Sequence, residues 1–209
     1  MQWNVVVNAP GAVGAAPSGN VTVGDGTDSC SAAVSAGQCN ITFTSAGIKS
    51  LTAAYAGDSN YEGSASSSVT HTVLASPTIA KAFAPSSIQL AASSIVTLTL
   101  SNSNASVLTG AAFSDTLANM SALGGPVSGT CAGTTPTTLS AAATALAFSG
   151  ITIPASGSCT VIFSVTSNTI GVYPNTTSGV TTNETLVVGS PSNTANLTVG
   201  DLIFANGFE

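Results

Sequence analysis

SIVTLTLSN, residues 94–102, and CTVIFSVTS, residues 159–167, alternate apolar side chains with hydroxyl-bearing ones, the period of a half-buried strand. Similar short runs bounded by Gly, Pro, Asn, Ser and Asp recur along the chain. The first half offers WNVVV (3–7), SGNVTVGD (18–25), CNITFTS (39–45), KSLTAAYAG (49–57) and SSVTHTV (67–73). The second offers TIAKAFAP (78–85), GAAFSDTL (110–117), TALAFSG (144–150), the stretch around VYPNTT (172–177) and TANLTV (194–199). No segment keeps a helical period for three turns. The expected fold is therefore all-β, two tandem antiparallel β-sandwiches. The break falls at LASP (74–77), where Pro77 interrupts the backbone donors. The expected division is 1–75, 76–200 and a tail, 201–209.

Composition supports this reading and removes several functions. Among 209 residues, 44% are hydrophobic but only 5% aromatic, so the buried volume comes from Val, Ile, Leu and Ala. Eight acidic residues face only Lys49 and Lys81, giving a net charge of −6 with no arginine. Two lysines cannot form the basic patch that a phosphate backbone requires, which excludes nucleic acid as a partner. Anionic membrane surfaces are disfavoured on the same ground.

Four cysteines fall two in each half: Cys30 and Cys39, then Cys131 and Cys159. Local pairing would close a short hairpin and a longer loop; pairing between the halves is the alternative. No CxxC spacing occurs and His71 is the only histidine, so a structural metal is not expected. Disulfides place the chain in an oxidising compartment, as an extracellular, secreted or cell-surface protein. No run of eighteen apolar residues offers a transmembrane helix. MQWNVVVNAP has no basic start before an apolar core; any export signal is expected upstream, with neighbouring domains of a longer parent protein.

APSGNVTVGDG (16–26) followed by SLTAAYAGDSNYEGSAS (50–66) resembles the bacterial Ig-like repeat. That resemblance implies that the Gly-Asp-x-x-Tyr segment is a loop before the last strand, and that a strand is missing ahead of WNVVV. Such an edge tolerates solvent or recruits a strand from elsewhere. The second half, through SPTIAKAFAPSSI (76–88), LTLSNSNA (98–105), FSDTL (113–117) and SCTVIFSVT (158–166), is similar to the DUF11-like extracellular repeats, again Ig-like sandwiches of bacterial surface proteins. LANMSALGGP (117–126) departs from the usual loop after the FTDT strand, which implies a remodelled connection.

The chemistry-bearing residues are few. Asp58, Asn60 and Glu62 stand at alternate positions and could present oxygens to Ca²⁺, or simply organise a turn. Asp25 and Asp28 read as a hairpin signal. His71 shares strand parity with Val69 and Val73 and reads as a packed or interdomain histidine rather than a general base. Trp3, Tyr55, Tyr61 and Tyr173 would have to supply any sugar-stacking surface, yet they do not cluster in sequence. Asn20, Asn40, Asn119 and Asn196 begin formal glycosylation triplets of the kind chance supplies here.

Lys81 alternates with Ile79 and Phe83, and Asp115 with Phe113 and Leu117, so both charges are directed inward. Burial discharges an amine and protonates a carboxyl, the conditions for Lys81 to attack an asparagine amide, with Asn175 the acceptor. The plain alternative is a Lys81–Asp115 ion pair at the rim. The resemblance points the same way, since surface proteins built from Ig-like sandwiches are a class that forms such bonds. The tail GDLIFANGFE, with Phe204, Gly207, Phe208 and Glu209, resembles a short ending of exported Gram-negative proteins and reads as a sorting signal or a strand extension.

The function expected is a non-catalytic extracellular spacer, stalk or adhesion module without a cofactor, its partner a protein or glycan on another surface. The alternative is a carbohydrate- or calcium-binding module using loops at one end of a sandwich.

Overall fold

The computed structural model describes residues 2–4, 14–185 and 187–201. It is all-β, and among the described residues no helix is long and apolar enough to cross a membrane. The chain divides into two compact units, Met1–Leu74 and Ala75–Glu209.

In the first unit the strands are β1 (Gln2–Asn4), β2 (Asn20–Gly24), β3 (Ser29–Ala33), β4 (Gln38–Asn40), β5 (Gly47–Tyr55), β6 (Ser64–Ala65) and β7 (Val69–Val73). β2 lies between β3 and β5, and β5 also pairs with β6 and β7; β1 pairs separately with β4. All of these pairings are antiparallel. The core is small: Val21, Val23, Ile41, Leu51 and Tyr55, flanked by Cys30, Cys39, Phe43 and Tyr61.

Two expectations fail here. CNITFTS does not continue as a strand beyond Asn40, because Thr44 is turned onto the Asp28 carboxylate through its amide (2.9 Å) and its hydroxyl (2.9 Å). The face expected to bury His71 with Val69 is open at one end, Val69 being 52% exposed. β7 pairs with Gly47–Leu51 of β5, so Val69 stands opposite Leu51 and His71 opposite Lys49, and the cover is lost only at Val69 itself, the end of that ladder. His71 itself is half-buried and stacks on Phe43 at 5.4 Å.

The second unit has longer ladders. Its strands are β8 (Thr78–Ala84), β9 (Ser87–Gln89), β10 (Ser93–Asn102), β11 (Leu108–Thr116), β12 (Ser121–Ala122), β13 (Gly125–Pro126), β14 (Ser128–Gly129), β15 (Thr138–Leu139), β16 (Ala145–Ile153), β17 (Gly157–Thr166), β18 (Gly171–Asn175) and β19 (Ala195–Gly200). One sheet runs β12-β17-β10-β8, with β14 also on β17; opposite stand β11-β16 and β18-β19-β9, the β19–β9 pair being parallel.

Alternation fills the space between the sheets. Val96, Leu98 and Leu100 of β10, Val161, Phe163 and Val165 of β17, and Phe148, Ile151 and Ile153 of β16 are all buried. Phe148 meets Phe113 at 5.1 Å and Phe163 of the opposite sheet at 5.6 Å. The β11–β16 register shifts between Leu108 and Phe113, a bulge centred on Gly110. Gly110 has φ +61°, and a Cβ there would come within 2.5 Å of the Asn183 amide.

Candidate functional site

The interior of the second unit contains a charged group. β8 is an edge strand whose inward residues are Ile79, Lys81 and Phe83. Its edge is closed at Lys81 by a side chain: Asn193 accepts from the Lys81 amide (2.9 Å) and donates to its carbonyl (3.0 Å), standing in for a neighbouring strand. Nothing in an Asn-rich sequence marks Asn193 for this role; only the tertiary contact reveals it.

β11 directs Asp115 into the same space, where Lys81 Nζ donates to Asp115 Oδ2. Neither side chain is exposed at all. Asn175, at the end of β18, donates through Nδ2 to Asp115 Oδ1 (2.9 Å) and to the Thr116 carbonyl (2.9 Å). Its own carbonyl oxygen is buried with no hydrogen-bond partner. Burial lowers the Lys81 amine below the ordinary lysine range, and the Asp115 carboxylate opposes that shift. The Phe83 ring lies 5.6 Å from the amine. The Lys81–Asp115 pair forms inside the unit rather than at its rim, and Asn175 joins it there, one residue from each of three strands.

Four of the other carboxylates, Asp25, Asp28, Asp58 and Glu184, hold backbone. Asp58 Oδ1 accepts from the amides of Asn60 (2.8 Å) and Tyr61 (2.9 Å), while Oδ2 accepts from the Ser18 amide (2.7 Å) and hydroxyl (2.9 Å). Gly57, with φ +89°, closes the same turn; a Cβ there would sit 2.8 Å from the Tyr61 carbonyl. Asn60 and Glu62 are exposed beside it. Asp25 Oδ1 accepts from the amides of Thr27 (2.8 Å) and Asp28 (2.7 Å), and Lys49 Nζ lies 3.6 Å from Asp25 Oδ2. In the second unit Glu184 accepts from the Thr109 amide (2.8 Å) and hydroxyl.

These donors hold Asp58, Asp25 and Glu184 below the usual carboxylate range, chiefly through amide hydrogen bonds to the first two and the Thr109 hydroxyl to the third. A depressed folded-state pKa stabilises at pH above the unfolded value, about 4, and that contribution is lost as pH falls through the folded value. Chemical denaturation midpoints should therefore be flat from pH 7 down to about 4 and fall below it. Midpoints that rise on acidification would contradict this assignment.

No sugar-stacking platform forms among the described tyrosines. Tyr55 and Tyr173 are buried in different units, and Tyr61 donates its hydroxyl to the Ala15 carbonyl at 2.8 Å. The Trp3 side chain and the tail residues Phe204, Gly207, Phe208 and Glu209 lie outside the described residues. A concavity of about 430 Å³ in the second unit is lined by Ser76, Thr78, Ser101, Asn102 and neighbouring small residues, with no aromatic or carboxylate. Among the described residues no group of three His, Cys, Asp or Glu could hold a metal.

Cys30 bonds Cys39, and Cys131 bonds Cys159, so both pairings are local. Cys30 follows the β2–β3 turn and Cys39 lies on β4; Cys159 is buried on β17. Each bond restricts the unfolded chain, contributing about 2–4 kcal/mol. Reduction should lower the melting temperature of each unit without altering oligomeric state; identical melting with and without reductant would contradict a structural role.

The family model for Domain of unknown function (DUF7933) matches residues 77–199, and that for Bacterial Ig-like domain (group 3) matches residues 1–74. No curated protein matches the chain. The Ig-like resemblance of the first half is borne out; the DUF11-like assignment of the second is not confirmed, the matching family there being DUF7933.

Proposed function

Because the chain belongs to the DUF7933 family and carries a bacterial Ig-like domain ahead of it, we propose that it is a non-catalytic structural module acting outside the cytosol. It serves as a spacer, stalk or adhesion module of a secreted or surface-attached bacterial protein. One observation carries this reading: the carboxylates of Asp25, Asp28, Asp58 and Glu184 are each spent on backbone donors within their own unit. They hold turns and loops in place instead of converging on a cleft, which a hydrolase with paired carboxylates would require. Two local disulfides and the Ig-like domain fit an oxidising, extracellular setting.

The natively recovered chain, tested on a glycan array with and without calcium, is expected to bind nothing in either condition, and chelator should leave its melting unchanged. A calcium-dependent glycan signal would replace this reading with the binding-module alternative built on Asp58, Asn60 and Glu62. Four titratable thiols in natively recovered protein would remove the oxidising compartment.

A further inference from the structure

We propose that Lys81 and Asn175 form an intramolecular amide bond, Nζ to Cγ, with Asp115 shuttling the protons. The inference goes beyond the structural-module reading and does not depend on it. Its basis is the arrangement of three side chains. Both oxygens of one buried carboxylate are occupied, one by the amine that would attack and the other by the carboxamide that would be attacked. The Lys81 and Asp115 side chains have no solvent exposure and Asn175 is 4% exposed, so water does not compete as nucleophile. An ammonium held there is costly, and passing one proton to Asp115 discharges both partners.

That transfer changes the hydrogen bonding in a way the structure anticipates. A protonated carboxyl must donate, and the one buried acceptor of Asn175 without a donor is its Oδ1. Rotation of the carboxamide presents that oxygen to Asp115, which polarises the carbonyl carbon towards the neutral amine. The lone pair of Nζ forms the new bond to Cγ while the carbonyl electrons move to Oδ1, which takes the Asp115 proton. Collapse restores the carbonyl and breaks the Cγ–Nδ2 bond. Both protons lost from the Lys81 ammonium pass through Asp115, one completing ammonia and the second making ammonium. The net change is an ammonium plus a primary carboxamide giving a secondary amide plus free ammonium. Atoms and charge balance, and no oxidant or cofactor is required.

The sequence supplies an unusually clear test, since Lys49 and Lys81 are the only tryptic sites. An acylated Lys81 is not cut, so the reduced, denatured full chain should give two tryptic fragments, 1–49 and 50–209. The intact unreduced mass should fall below the disulfide-bonded sequence mass by one ammonia. Chymotryptic peptides bearing Lys81 and Asn175 should appear joined in tandem spectra. Three fragments, with 50–81 and 82–209 separate, would overturn the proposal whatever the intact mass, because an Asn206–Gly207 succinimide also expels ammonia but leaves Lys81 open to trypsin. Asp115→Asn keeps the shape of the side chain while removing the proton shuttle, and it should return three fragments; two fragments from that variant would overturn the role given to Asp115.

Discussion

Replacing Asp115 with alanine is expected to lower the unfolding free energy of the second unit by at least about 3–5 kcal/mol, the cost of orphaning one partner of a buried pair. Lys81 would be left with no carboxylate in a space closed to water, and Asn175 would lose one of its two acceptors. A companion variant separates charge from shape. Lys81→Met with Asp115→Leu removes both charges while filling the volume, and should restore part of the loss seen in Asp115→Ala. Calorimetry on the full chain reads both, through the transition of the larger unit. Wild-type melting in Asp115→Ala would mean that the Lys81 amine has a route to water, which its zero exposure denies.

The second large effect is expected at Phe148. It is 1% exposed and sits between Phe113 on its own side and Phe163 on the opposite sheet. In a chain with 5% aromatics these rings occupy space that no Val or Ala can reach. Phe148→Ala should cost about 3–5 kcal/mol through lost burial and the cavity left behind. The melting midpoint of the second unit should fall by roughly 10–20 °C. Phe148→Leu should recover much of that, as a smaller change of volume. A midpoint shift of only a degree or two for the alanine variant would mean that the sheets do not close over this ring.

The long strands were legible because alternation survives in a chain whose sheets bury one face. Val96, Leu98 and Leu100 are written into SIVTLTLSN, and parity alone directs Lys81 and Asp115 inward. Strands of two residues, such as Ser121–Ala122, Gly125–Pro126 and Ser128–Gly129, carry no period and are defined only by their partners. Ser29–Ala33 was hidden for a related reason, since SCSAA has little β propensity and is held by β2. Parity misjudged Val69, not His71, because alternation says which residues share a face, not whether another layer covers each of them.

At the site, parity directed Lys81 and Asp115 inward and residue type named Asn175 as a candidate, whereas Asn193 and the unpartnered Asn175 oxygen were not legible. Both depend on side-chain geometry between segments far apart in sequence. The turn at Asp58 lay between: Asp and Asn after Gly announce a turn, but the grip on Ser18 is a long-range contact.

A chain locked between β8 and β18 by the proposed amide bond should not extend fully. Pulling one molecule of the full chain by its two ends measures how much length each unfolding event releases. The segment from Lys81 to Asn175 should stay closed, so the total release should fall short of the fully extended chain by roughly 300 Å, at about 3.3–3.6 Å per residue. Release of the whole contour, with no such deficit, would show that only an ion pair holds these strands together.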